Sequence, residues 1–144
     1  MKMLESNLIS EIEDTYILDF GTFYFCTHYI VSEVNEGVTF SWKNAEKIME
    51  LGYAHYGKDV KISYISNRIN SYAVVPQDWL KLFRGHETVQ AVAVITYNKS
   101  ALTNIMMEKL FFLSQTLRQF ESLETAAAWI TKNRPAIRSK TYDR

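Results

Sequence analysis

The chain has few of the residues that build redox, metal and phosphate sites. Among 144 residues there are one cysteine, three histidines and five glycines. The single cysteine, Cys26, excludes an internal disulfide, and no histidine has a second ligand at metal-site spacing. No Gly-x-Gly-x-x-Gly or phosphate-loop pattern occurs. We therefore expect no cofactor and no metal, and no nucleotide-dependent enzyme.

Long apolar runs are also absent. The longest purely aliphatic run covers residues 91–95, whereas a membrane span needs ~20 apolar residues. The first seven residues include Glu5 and have no apolar core, unlike a secretory signal. The sequence therefore predicts a cytoplasmic protein without an integral membrane segment.

Formal net charge is zero, but the charges are unevenly spread. Residues 1–60 hold ten acids and four bases, and residues 61–144 hold six acids and twelve bases. A basic half can attract an anionic partner, yet zero net charge is unusual for a nucleic-acid binder. We expect no nucleic acid, with the two halves attracting each other or solvating different faces. Residues 132–144 contain five of the bases and are predicted to form a flexible tail.

Strand and helix patterns alternate through the second half of the chain. Strands are predicted at 61–66, 89–96 and 117–120, and helices at 76–83, 102–113 and 123–130, the last ended by residues 133–135. This order is typical of parallel strands with helices packed on the sheet. Residues 1–40 are rich in aromatic and β-branched types, which predicts antiparallel strands. The predicted fold is one α/β domain over 1–131 with a mixed sheet of four to six strands.

Residues 41–57 have the clearest helical pattern. Ser41 can cap the amino end, and Gly57 can form a left-handed carboxyl-terminal cap. One face is apolar, formed by Trp42, Ala45, Ile48, Met49, Gly52, Tyr53 and Tyr56. This face is expected to pack on the sheet.

The polar segment after the first parallel strand is the best candidate for a binding site. Ligands of open α/β sheets gather beyond the carboxyl ends of the strands. This segment supplies two serines, two asparagines and an arginine that suits a carboxylate or phosphate: Ser66, Asn67, Arg68, Asn70 and Ser71. The alternative is that these residues only cap backbone groups in a connection.

Two further groups of residues are candidates for a functional role. Met106, Met107 and Phe111 widen a predicted helical stripe and could line an apolar pocket or a dimer interface, although ordinary core is the simpler interpretation. Cys26 and His28 would share a face of one strand, where a histidine could activate a thiolate. A buried, inert cysteine is the simpler alternative there.

The end of the predicted domain resembles a known family. Phe120, Leu123, Ala126, Trp129 and Ile130 match the form Phe-x-x-Leu-x-x-Ala-x-x-Trp-Leu, with which bacterial STAS-like proteins of the SpoIIAA type end. The turn at 33–37 leading into the helix at 41–56 is similar as well. The resemblance covers about residues 10–131.

The resemblance implies a mixed sheet backed by helices and a non-enzymatic role. Family members bind partner proteins in regulation, and wider relatives of the CRAL-TRIO type carry apolar ligands. The antagonists of anti-sigma factors also carry a phosphorylatable serine in an Asp-Ser-Ser-Gly-like motif. The matching region here has serines without that motif, so Ser66 and Ser71 are the candidates for such a switch.

These observations lead to one main functional hypothesis and one alternative. The main hypothesis is a bacterial regulatory module that acts through contacts with a protein partner and forms a homodimer. The alternative is a carrier or sensor of a small apolar or lipid-like molecule.

Overall fold

A six-stranded mixed sheet forms the centre of the protein. The computed structural model describes residues 1–78, 81, 89–97 and 117–142, without the side chains of 89 and 133–142. The strands of the main sheet lie in the order β1-β2-β3-β5-β7-β8. Their bounds are β1 Ile12–Leu18, β2 Gly21–Cys26, β3 Tyr29–Val34, β5 Ile62–Asn67, β7 Val89–Ile95 and β8 Leu117–Phe120. A two-stranded sheet pairs β4, Thr39–Phe40, with β6, Ala73–Val74.

The direction of the strands changes along the sheet as the sequence predicts. β1, β2 and β3 pair antiparallel through short connections, as expected from their aromatic and β-branched residues. β3, β5, β7 and β8 then pair in parallel. The α/β class, the mixed sheet and its antiparallel amino-terminal part are therefore confirmed. The carboxyl ends of four parallel strands meet at one edge of the sheet, where ligands of such folds bind.

Helix α1, Trp42–Tyr56, connects the antiparallel and parallel parts. Its first turn is closed by side chains, because Asn44 Oδ1 accepts the Ser41 N–H at 3.0 Å and Asp78 Oδ2 accepts the Trp42 N–H at 2.7 Å. Gly57 ends the helix with a φ of +94°, and its N–H donates to the Tyr53 carbonyl at 2.9 Å. The predicted bounds of this helix are confirmed. Gly57 follows the last residue as predicted, but its ψ of 157° lies outside the left-handed helical region, so the predicted left-handed cap is not formed.

Helix α2, Leu123–Tyr142, begins where predicted but runs further. Ser122 Oγ accepts the Thr125 N–H at 3.1 Å and so caps the amino end. The prediction that residues 133–135 end the helix is wrong. Pro135 removes one backbone hydrogen bond and crowds the preceding turn, which costs ~3 kcal/mol without forbidding a helix. The residues after it include alanine, lysine and arginine, which favour helix and let it resume.

Both faces of the sheet are buried, each by a different element. Alternate strand residues face α2, and Val31, Ile65 and Ala93 pack there against Leu123, Ala126 and Ile130. Met3 and Leu8, from two short 3-10 turns at Met3–Glu5 and Asn7–Glu11, complete this side. The opposite residues, including Phe23, Phe25 and Ile30, pack against α1 through Ile48. Three predicted features, the helices at 76–83 and 102–113 and the group Met106, Met107 and Phe111, lie partly or wholly outside the described residues.

Candidate functional site

The polar segment at the end of β5 is placed at the carboxyl edge of the sheet. The sequence predicts a strand that ends at Ser66, but the strand continues through Asn67, and both residues are buried. Ser66 Oγ lies 2.8 Å from the Tyr72 hydroxyl and accepts from Arg68 Nε at 3.1 Å. The Arg68 guanidinium also lies 5.7 Å from the centre of the Tyr72 ring. Ser66 is therefore enclosed, whereas Ser71 is exposed.

The rest of this segment joins two loops. Asn70 Nδ2 donates to the Val34 carbonyl at 3.0 Å. The Ser71 N–H donates to Glu36 Oε1 at 3.0 Å, and the Ser71 carbonyl accepts the Gly37 N–H at 2.8 Å. These bonds hold the β3–β4 turn against the segment after β5. Asn70 therefore caps a backbone carbonyl, as the alternative interpretation of this segment expects. A binding role for the segment stays a prediction.

A buried polar group that the sequence did not predict lies beside this segment. Asn67 is fully buried, and its side-chain amide donates to Glu33 Oε2 and to the Met1 carbonyl, each at 2.9 Å. The Tyr97 hydroxyl donates to Asn67 Oδ1 at 2.7 Å. Glu33 Oε2 also accepts the Met3 N–H at 2.6 Å. We call Glu33, Asn67 and Tyr97 the edge cluster, and residues 1–6 the strap.

The electrostatics of the edge cluster are those of a partly enclosed site. Burial, followed by the negative charges of Glu33 and Glu124, raises the pKa of Tyr97 to about 12. Tyr97 therefore stays protonated at neutral pH and acts as a donor to Asn67. Because the two nitrogen-bound hydrogens of Asn67 and its oxygen all have partners, the amide orientation is fixed by the cluster.

An apolar cleft lies between α1 and the sheet. Its cavity volume is about 90 Å³, and its walls are almost entirely apolar. Six residues of α1 line one side: Ala45, Ile48, Met49, Gly52, Tyr53 and Tyr56. Ile30, Ile62 and Tyr64 form the sheet side, and Phe40 and Val60 lie among the remaining residues. The predicted apolar face of α1 therefore covers the sheet without filling all the space below it.

Small residues in the apolar face of α1 account for this space. Ala45 and Gly52 occupy positions where a core helix normally carries a large side chain, and bulky Tyr53 and Tyr56 flank Gly52. A Cβ added at Gly52 would meet only the Ile30 Cδ1 atom, at 3.9 Å, which is ordinary contact. The sequence signal for the cleft is thus a glycine inside a helical apolar stripe, where it costs about 1 kcal/mol relative to alanine. The sequence instead indicated Met106, Met107 and Phe111 as a possible apolar pocket or interface, with ordinary core as the simpler interpretation, and these residues lie outside the described part of the chain.

The possible activation of the Cys26 thiolate by His28 does not fit the geometry. Strand β2 ends at Cys26, and His28 lies in the connection to β3, so the two do not share a face of one strand. Cys26 is fully buried. Burial, with the nearby Glu11 and Glu13 charges, raises the pKa of its thiol to about 12. A thiol with that pKa is protonated at neutral pH and is a poor nucleophile.

The described residues provide neither a metal site nor a membrane-spanning helix. Within the described part of the chain, no group of three or more His, Cys, Asp or Glu side chains is arranged to hold a metal ion. None of the described helices combines the length and apolar character that crossing a bilayer requires.

Comparison with known proteins identifies a similar fold but no family. No protein-family model matches the chain, and no curated protein matches it. The chain is similar to the crystal structure of an uncharacterized protein of the DUF3478 family, with a SpoIIAA-like fold, from Shewanella loihica. The two are 14% identical with a TM-score of 0.51, over 81% of this chain and 90% of that one. Together with the strand order and helices described above, this similarity shows that the chain has a SpoIIAA-like α/β fold.

Proposed function

We propose that the protein is a non-enzymatic binding domain that holds a small apolar molecule, or the apolar part of a larger one, in the cleft under α1. The observation that carries this proposal is the cleft itself, whose walls come from the apolar face of α1 and from Ile30, Ile62 and Tyr64. Ligand pockets are concave and mostly apolar, and a helix packed on a sheet seldom leaves such a space unfilled. The inert Cys26 thiol supports a binding role rather than a catalytic one.

The size of the cleft limits the class of ligand. An apolar cavity of roughly 150 Å³ binds benzene, so the smaller volume of about 90 Å³ suits a short alkyl segment rather than a complete ring. A whole lipid does not fit within the cleft. Because the walls offer little polarity, any charged end of the ligand must extend into solvent.

Methyl NMR of the full chain tests this proposal. The chain has five methionines, so a ¹³C-methyl methionine spectrum is simple to assign. Only Met49 lines the cleft among the methionines that the structure describes. Addition of n-hexanol, whose alkyl chain can enter the cleft while its hydroxyl stays in solvent, should shift the Met49 methyl signal in a saturable way. A Met49 signal that does not move would refute binding in the cleft, and shifts at Met106 and Met107 would favour the pocket predicted from the sequence.

A second candidate function is binding of a protein partner at the carboxyl edge, with or without a homodimer. It is favoured by one observation, namely that the edge cluster already holds a piece of polypeptide, the strap, through its main chain. Sedimentation velocity at about 5–500 μM protein would reveal a homodimer, because this range covers dimer dissociation constants of roughly micromolar. Arg68→Ala should weaken protein contacts at this edge without unfolding the domain, and unchanged association would remove Arg68 from the interface.

A further inference from the structure

The contacts of the edge cluster are complementary to a main-chain segment that is extended at Lys2 and enters a 3-10 turn at Met3. Glu33 accepts a peptide N–H from Met3, and Asn67 donates to a peptide carbonyl of Met1. The Tyr97 hydroxyl lies 3.4 Å from the same carbonyl. One acceptor, Glu33, and one donor, Asn67, thus meet peptide groups two residues apart, while the single hydrogen of the Tyr97 hydroxyl points to Asn67 Oδ1. This arrangement recognises backbone rather than a particular side chain.

The pocket that the Met3 side chain fills determines which side chain the site accepts. Its side chain is fully buried among residues of the core on the α2 side, whereas Met1, Lys2, Leu4 and Glu5 are exposed. Leu4 is 57% exposed. A long, unbranched apolar side chain therefore enters the protein, and the residues on either side of it stay accessible.

The Glu33 carboxylate gives the site a strong requirement for N–H donors. It is 7% exposed, and the donors that reach its Oε2 are the Met3 N–H and the Asn67 amide, both uncharged. A buried carboxylate is unfavourable unless hydrogen-bond donors surround it. If the strap leaves, the carboxylate loses the donor at 2.6 Å, so an incoming peptide that supplies an N–H at that place is favoured.

We propose that the edge cluster is a peptide-binding site, that the strap occupies it within the same chain, and that a segment of a protein partner with the same main-chain course displaces the strap. The segment has a methionine-like residue two positions after the carbonyl that Asn67 binds. This inference rests on the second candidate function, binding of a protein partner, and it is independent of the cleft. The partner is therefore a short peptide with an unbranched apolar anchor at the start of a turn.

The test uses the full chain carrying Met3→Ala, which empties the apolar slot and keeps the edge cluster. The probe is a peptide with the sequence of residues 1–6, blocked at both ends, and the control is the same peptide with Met3→Asp. Binding is followed by the NMR signals of the Asn67 side-chain amide and the Tyr97 ring. We expect the probe to bind at least tenfold more tightly than the control peptide. It should also bind more tightly to the Met3→Ala variant than to the unmodified chain, because the intact strap competes there at an effective concentration of about millimolar.

Equal binding of both peptides, or none at millimolar concentration, would overturn the proposal. Hydrogen exchange of the unmodified chain keeps the test decisive if Met3→Ala does not fold. The Met3 amide should exchange at least tenfold faster than that of Val31 in the middle of β3, because the strap opens locally. Equal rates would show that the strap opens only when the domain unfolds, which would also overturn the proposal. If the peptide binds and the Met49 signal does not move, the peptide occupies the edge cluster and not the cleft, so the two proposals are tested separately.

Discussion

Gly52 offers a quantitative test of how α1 lies on the sheet. In the interior of this helix, glycine is less favourable than alanine by about 1 kcal/mol, since alanine loses less backbone entropy on folding. The added methyl group would lie 3.9 Å from Ile30 Cδ1, a distance without steric cost. Gly52→Ala should therefore raise the free energy of unfolding by about 1 kcal/mol, and the melting temperature by about 3 °C.

Urea unfolding followed by circular dichroism measures this change. The matched control is Ala54→Gly, at an exposed position of the same helix that does not line the cleft, which should lower the free energy of unfolding by about 1 kcal/mol. A destabilising Gly52→Ala would refute the reasoning, because it would mean that the helix lies closer to Ile30 than the structure shows.

A larger substitution at the same position connects stability to binding. Gly52→Leu places an isobutyl group in or beside a cavity of about 90 Å³, so the space available to a ligand shrinks. The shift of the Met49 methyl signal with n-hexanol should be lost in Gly52→Leu and kept in Gly52→Ala. If both variants bind the alcohol like the unmodified chain, the ligand does not occupy the cleft.

The remaining predictions concern buried polar groups. The Cys26 thiol should resist iodoacetamide at pH 8. Folding raises the pKa of this thiol from 9.0 to about 12, so the protonated thiol stabilises the folded state fully below pH 9. This stabilisation is lost as the pH rises toward 12, by at most about 4 kcal/mol. Cys26→Ala should therefore reduce the alkaline loss of stability measured by urea unfolding at about pH 8–11. Glu33→Gln should change stability by less than about 1 kcal/mol, since one oxygen can still accept both hydrogen bonds, whereas Glu33→Leu should cost more than about 2 kcal/mol by leaving Met3 and Asn67 without an acceptor. Equal effects of the two Glu33 variants in urea unfolding would contradict the described bonds.

The sheet and helix α1 were predictable because their signals are local. The spacing of Ile48, Gly52 and Tyr56 shows one apolar face, and the nearly continuous apolar run of β7 indicates a strand covered on both sides. The strand at Leu117–Phe120 was predicted with the bounds that the structure has. The helix end near Pro135 was not, since a proline only makes continuation unfavourable.

The candidate sites were less predictable because they depend on distance in space. Periodicity shows which face of α1 is apolar, but it does not show whether opposite residues such as Ile62 fill the space beneath Gly52. The edge cluster joins Glu33 to Asn67, 34 positions apart, and Asn67 to Met1, 66 positions apart. The sequence located Asn67 near a site, yet nothing local to it identifies Glu33 or the strap as its partners.

The separation between the strap and its partners has a consequence during protein synthesis. Residues 1–6 emerge from the ribosome before every other part of this sequence, but Asn67 and Tyr97, which bind the Met1 carbonyl, follow 66 and 96 positions later. The hairpins of β1, β2 and β3 involve near neighbours and can form early, whereas contacts of such high sequence separation close late. The Met3 side chain shares its core cluster with Leu123, Ala126 and Ile130, so its burial is completed only after β8 and the first turns of α2 have emerged as well.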